Sequence, residues 1–295
     1  MSIVIGPECL QCHLRRNLEL AQSLGSQQQA MDFAKDLMRM YLDAPEGISS
    51  PWFNPQVAQL LHRHYGLPLD RYQQEREDSH RFVLERMEQF QQRARSAADP
   101  VLAGLQLAIL GNYLDFSALQ GQVNFDTLDT MLEKAMHMQL DDSVFRQLCA
   151  DLAKGKKLLY LTDNAGEIGF DRIFAQEIAR AYPQLDITFC VRGGITLNDA
   201  TREDAAAVGI PFRVIDNGNL VPGTQLDLLG EEARQAMDEA DVIIAKGMAN
   251  VETMYGCGYP IYYAFLVKCQ HFVRIFQQPL LTPMLVKEGT PLAAE

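Results

Sequence analysis

Four short segments hold side chains whose types and spacing could do chemistry together. They are TDNAGEIGFD (162–171), VRGGITLNDAT (191–201), the pair Asp216–Asn217, and AKGMANVET (245–253). Asp163, Asn164 and Asp199 are oxygen donors of the kind hard divalent cations select. Two carboxylates and an amide oxygen would hold Mg²⁺ or Mn²⁺ and leave positions open for substrate and water. Lys246 is a compact positive charge suited to a phosphate oxygen. Gly166, Gly193, Gly194 and Gly247 would let backbone N–H groups approach an anion closely. A helix opening near Gly169–Asp171 could aim its N-terminus at the same anion. Cation, lysine, glycines and helix end are the parts that phosphoryl chemistry requires. Asp and Asn after a strand also serve as turn formers and N-caps, so each segment alone is weak. Their recurrence after successive strands is the stronger signal.

That recurrence has meaning because of the elements around it. KKLLYLTD, DITFCVRGG, FRVIDNG and DVIIAKG read as short apolar strands, and HFVRIF as a fifth. RIFAQEIARAYP, REDAAAVG and EEARQAMDEA read as helices between them. Strands alternating with helices predict βαβ units and a parallel sheet, and continuous apolar strands predict a sheet covered on both faces. A parallel sheet puts the loops after its strands on one edge, where ligands bind. Residues 1–150 read as helix after helix, with apolar spacing near 3.6 in LRRNLELAQSLG and QAMDFAKDLMRMYLDA. The expected organisation is a helical domain, 1–150, and an α/β/α domain, 151–295. Within LAILGNYLDFSAL, Asn112 and Asp115 fall on one face of an apolar helix. They either satisfy each other and the backbone or face a cleft between the domains. The tail KEGTPLAAE is expected to fray.

The chain has 295 residues, 47% hydrophobic content and a net charge of −12. Acidic balance argues against a nucleic-acid partner, and Arg15–Arg16 is too small a basic patch to reverse that. No apolar run reaches the roughly 18 residues that span a bilayer, and no secretory signal is recognisable. A cytoplasmic location is expected. Four of the six cysteines sit singly in apolar or mixed sequence and read as buried thiols. The other two form CLQCH, Cys9 to His13, the spacing of a c-type haem attachment. It could also be part of a zinc site that borrows a distant partner such as Cys269, or a redox pair at a helix start. The reading preferred here is that Cys9 and Cys12 seat the first helix.

ECLQC, AILGNYLDF, LTDNAGEIGFD, LNDAT and AKGMANVET follow one another in an order that resembles the damage-control phosphatase family, formerly domain of unknown function 89. The resemblance covers nearly the whole chain, and LTDNAGE with KGxxNxE is its most specific part. It implies a helical domain packed on a three-layer α/β/α domain, with the active site between them. It also implies a metal-dependent phosphatase acting on a small phosphorylated metabolite, a sugar phosphate or a phosphopantetheine-like ester. Asp163, Asn164 and Asp199 would be the metal ligands and Mn²⁺, Co²⁺, Ni²⁺ or Mg²⁺ the cofactor. The C-terminal VKCQHFVRIFQQP departs from the family: Lys268 and Cys269 fit, and a later glycine is missing.

On this reading Asp163, Lys246 and Glu167 are the catalytic candidates. Asn112, Asp115, Arg192, Gly193, Gly247, Asn250 and Glu252 are the substrate-binding candidates. The nucleophile is a metal-activated water or the Asp163 carboxylate. An S-adenosylmethionine-dependent carboxyl methyltransferase and a non-catalytic metal- or phosphate-binding protein are the alternatives. Against the former, the first turn is DNAGEIG rather than a glycine-rich loop.

Overall fold

A computed structural model describes residues 3–112 and 138–293 of the protein. Five helices come first: α1 (Pro7–Leu24), α2 (Gln27–Leu42), α3 (Asn54–Tyr65), α4 (Gln73–Arg95) and α5 (Pro100–Gly111). The starts are written locally. Pro7 opens α1, Ser26 and Gln29 close a reciprocal capping box on α2, and the Asp99 carboxylate accepts from Leu102 N at the start of α5. Helix α6 (Asp142–Lys154) then leads into the α/β half. This comprises β1 (Lys157–Leu161), α7 (Ile168–Ala181), β2 (Asp186–Val191), α8 (Arg202–Ala207), β3 (Arg213–Asp216), α9 (Glu231–Glu239), β4 (Val242–Lys246), α10 (Gly247–Met254), β5 (Ile261–Leu266), α11 (Gln270–Phe276) and β6 (Pro283–Lys287).

The sheet order is β3-β2-β1-β4-β5-β6. The first five strands are parallel, and β6 runs antiparallel to β5. Strand order reverses between β1 and β4, which opens a crevice at their carboxyl ends. Leu158 is registered against Ile187 on one side and Val242 on the other. Every residue of β4 and β5 is buried, as expected where helices cover both faces.

The fold bears out an α/β class with a mainly parallel sheet and corrects three local expectations. HFVRIF is not a strand but helix α11, and its buried residues, His271, Phe272 and Ile275, follow a helical spacing. Phe272 meets Phe265 and Phe276 edge-on or tilted, so the aromatic content that suggested a strand is used in packing against β5. The fifth strand is IYYAFL, a short apolar run with no alternation to announce it. The tail is held rather than frayed as far as Ala293, whose N–H donates to Ile275 O at 3.0 Å, while the Tyr255 hydroxyl donates to Thr290 O.

The change of sequence grammar near residue 156 is not a break in the core. Leu105 and Ile109 of α5 and Leu148 and Leu152 of α6 share one apolar cluster with Leu158, Tyr160 and Ile244. A separate cluster joins α1, α2 and α3 through Ala21, Phe33, Leu37 and Leu61. Among the described residues, no helix is long and apolar enough to cross a membrane.

Candidate active site

Beyond the ends of β1 and β2 the chain makes one extra antiparallel bridge, Asn164 with Asp199. Ala200 N donates to Asp163 O and Ala165 N to Asn198 O, both at 2.8 Å. This is how DNAG and LNDA, far apart in sequence, come together. Helix α4 clamps the bridge from outside: Arg76 Nη1 donates to Asp199 O at 2.9 Å, and the His80 ring lies 3.0 Å from Ala165 O. Arg76 also pairs with Asp204, whose carboxyl lies below its usual range because His80, Arg76 and Thr201 outweigh its burial. Leu197, just ahead of the bridge, has φ 47°, a left-handed conformation unusual for a branched residue and of the kind that clusters at functional sites.

The three proposed ligands therefore converge. Asp163, Asn164, Asn198 and Asp199 line a cavity of about 650 Å³, within the range of small-ligand sites. The Asp163 carboxylate lies against Gly247, which has φ 76°; a Cβ there would sit 1.9 Å from Asp163 Oδ2. Gly247 thus makes room for Asp163, whatever else it does for an anion. Asn164 Nδ2 donates to Asp163 Oδ2 and to Glu167 Oε2, both at 3.0 Å, which leaves its Oδ1 as the atom to offer a cation. Among the described residues no three His, Cys, Asp or Glu side chains form a ready metal cluster. The set here has two carboxylates and an amide, a mixture suited to a hard ion that keeps water and substrate in its shell.

Several sequence candidates are supports behind this wall rather than part of it. Asn112 Nδ2 donates to Asp163 Oδ2 at 2.6 Å and to Glu167 Oε2 at 2.9 Å, which settles its direction; Asp115 lies outside the described residues. Lys246 is fully buried. Its ammonium donates to Ala108 O at 2.7 Å, to Asp171 Oδ1 at 2.9 Å and to Glu167, so it does not face the cavity. Burial pushes the Asp171 carboxyl up, to about 7, with Lys246 opposing and Glu167 adding to the shift. Arg192 is buried too; its Nε donates to Asp199 Oδ2 at 2.5 Å and its Nη2 to Thr162 O at 3.1 Å, so it positions Asp199. Asn250 ties Thr162 O, Lys246 O and the Thr224 hydroxyl. Gly193 N–H is engaged by Asn219 O and Asn217 Oδ1 and is not offered to an anion.

The cations that do line the cavity are Arg15, Arg16 and Lys268. Arg15–Arg16 was visible in sequence as a basic pair too small for nucleic acid, and its size suits one small anion. Glu252 also lines the cavity, partly accessible, and burial pushes its carboxyl from 4.5 up to about 8. The folded protein therefore holds a proton there that the unfolded chain releases. Between about pH 4.5 and 8 the native state binds more protons, so stability falls as pH rises through that window. Glu252→Gln is expected to flatten the decline in urea midpoint from pH 6 to 8.5; an unchanged slope would refute the assignment.

Cys9, Cys12 and Cys269 border the same cavity, and all are free thiols. Burial pushes Cys9 up to about 11 and Cys269 up to about 12. His13 turns away from them: its Nδ1 lies 3.1 Å from the Tyr41 hydroxyl and its Nε2 2.8 Å from Ser50 Oγ. Burial, helped by Arg16, lowers its pKa to about 4. Both ring nitrogens are thus engaged, which removes His13 as a haem or zinc ligand.

The model of the damage-control phosphatase ARMT1-like domain matches residues 5–281. The chain belongs to the damage-control phosphatase family. A damage-control phosphatase of Archaeoglobus fulgidus is 35% identical over 182 residues, 60% of this chain and 61% of that protein. One from Pyrococcus horikoshii is 33% identical over 182 residues, 59% and 61% of the two chains. An uncharacterized protein of Methanocaldococcus jannaschii is 32% identical over 283 residues, 91% and 90% of the two. The crystal structure of a DUF89 family protein from Pyrococcus horikoshii superposes with a TM-score of 0.82 at 23% identity, covering 97% of this chain and 99% of that one. That DUF89 family protein thus shares this fold, from the helical half through the sheet.

Proposed function

We propose that the protein is a divalent-cation-dependent phosphatase that hydrolyses a small phosphorylated metabolite, converting R–O–PO₃²⁻ and water to R–OH and inorganic phosphate, in metabolite damage control. The observation that carries this is the convergence of Asp163, Asn164 and Asp199 on one cavity wall, placed at the switch point of the sheet. The family names of the relatives point the same way. Asp163, Asn164 and Asp199 would hold Mn²⁺, Co²⁺, Ni²⁺ or Mg²⁺, which when bound supplies Lewis acidity and charge neutralisation at the phosphoryl group.

The chain's own residues do the rest. Asn112 and Gly247 fix the Asp163 carboxylate, and Arg192 fixes Asp199, so neither needs to reorganise when phosphate enters. Arg15, Arg16 and Lys268, which line the same cavity, would bring positive charge to phosphoryl oxygens. Glu252, which lines the cavity and whose carboxyl burial pushes up to about 8, would give a proton to the leaving oxygen. Lys246 and Glu167 act through Asp163 and Asn164 rather than on substrate.

Phosphate release from a panel of sugar phosphates and phosphopantetheine-like esters, with each cation added singly, tests the reading. Turnover of at least one ester is expected. Methyl transfer from S-adenosylmethionine without any phosphate release would contradict it.

A further inference from the structure

The cavity at Asp163 does not end at its own walls. A second hollow of about 410 Å³ adjoins it and shares His13, Arg16, Asn54 and Leu197. It runs between α1, α3, the segment 67–72 and the loop that carries Ile195 to Leu197. Polar side chains such as Asn17, Asn54 and Gln59 share its lining with apolar ones: Leu20, Val57 and Leu67 with Leu69, Ile195 and Leu220. The last three are 54%, 48% and 47% exposed, so apolar surface faces water in a concavity beside a polar reaction site. A concavity of mixed apolar and polar lining suits an organic ligand that itself carries polar groups.

The hollow is also lined by Arg71, which does not line the first cavity. Its guanidinium lies over the Tyr72 ring at 4.9 Å, and Nη2 donates to the Tyr72 hydroxyl at 3.0 Å. Nη1 is buried with no hydrogen-bond partner among the described residues. Arg71 nonetheless lines the hollow, and a guanidinium held against a ring is a pre-oriented cation for a carboxylate or phosphate. Glu19 is the one carboxylate in this wall, against Arg16 and Arg71. Arg71 lines the second hollow alone, Arg15 and Lys268 the first alone, and Arg16 both.

We infer that the substrate is a two-headed phosphomonoester: its phosphate lies at Asp163, Asn164 and Asp199, its apolar middle crosses Leu197 into the second hollow, and a second anionic group meets Arg71. The inference rests on the phosphatase reading and narrows it. Simple phosphomonoesters would be turned over but poorly selected. Hydrogen bonding to a charged group makes the terminal anion worth at least about ten-fold in kcat/KM.

The test is a set of ω-phosphonooxy alkanes of rising chain length, ending in methyl, carboxylate or phosphate, with p-nitrophenyl phosphate alongside. At the best length, wild-type protein is expected to prefer an anionic end over methyl by at least about ten-fold. Arg71→Gln should bring that ratio close to one, and the carboxylate and phosphate arms show which anion is read. Ile195→Trp, at an exposed position, should shorten the preferred chain. Equal turnover of methyl- and anion-ended esters by wild type would overturn the inference while p-nitrophenyl phosphate turnover upheld the phosphatase. A preference that survives Arg71→Gln would overturn it too. No release from any ester would overturn both.

Discussion

Asp163→Ala is expected to abolish cation-dependent phosphate release, by about 10³-fold or more in kcat/KM, while the protein stays folded. The carboxylate is the hub of the site. It receives Asn112 and Asn164, and its backbone carbonyl accepts the Ala200 N–H of the bridge. The substitution leaves that bridge intact, because the bridge is made by backbone atoms. What is lost is one of two carboxylates in the proposed ligand set, and Asn164 keeps only Glu167 of the two carboxylates that orient its amide. Phosphate release measured beside circular dichroism separates the two possibilities. Full activity in a folded variant would remove Asp163 from the chemistry.

Lys246→Met is expected to destabilise the protein by about 3–5 kcal/mol, the usual loss when one partner of a buried ion pair is removed. Lys246, Glu167 and Asp171 are all fully enclosed. Their charges are balanced by one ammonium against two carboxylates, with Asp171 already pushed up to about 7. Without the ammonium the Asp171 carboxyl rises further. The folded variant then retains protons that the unfolded chain gives up, so its deficit should be larger at pH 8 than at pH 5. Adding Asp171→Asn should recover part of the loss, since it removes one uncompensated charge. Urea denaturation at the two pH values checks this; a deficit below about 1 kcal/mol would place Lys246 in a polar, hydrated setting instead.

The placement of Lys246 explains how much of the site was legible in sequence. Four strands were readable because buried parallel strands are continuous apolar runs that stop at polar, glycine-bearing loops. Those loops gave Asp163, Asn164 and Asp199, which the fold brings together. The direction of Lys246 was also written, but in parity rather than type. Val242 and Ile244 face the α5–α7 layer, and Ile243 and Ala245 the opposite one. Period two along β4 sends Lys246 to the α5–α7 side, toward Ala108 and Glu167. Asn112 was recognised as a polar residue in an apolar helix, yet its partners lie 51 and 55 residues away and only tertiary structure could supply them. Strand β5 was missed because IYYAFL has neither alternation nor helical period, and α11 was misassigned because local β-propensity lost to packing against Phe265. Arg15, Arg16 and Lys268 reach the cavity from distant segments, so no local pattern linked them to Asp163.

The central claim is that Asp163, Asn164 and Asp199 make phosphate release depend on a divalent cation. Protein stripped with a chelator and assayed on p-nitrophenyl phosphate tests it most directly. Stripped protein should be inactive, Mn²⁺, Co²⁺, Ni²⁺ or Mg²⁺ should restore release with saturation, and Asp199→Asn should shift that saturation to higher cation concentration. Full activity in the stripped protein, or a saturation curve unchanged by Asp199→Asn, would contradict the account.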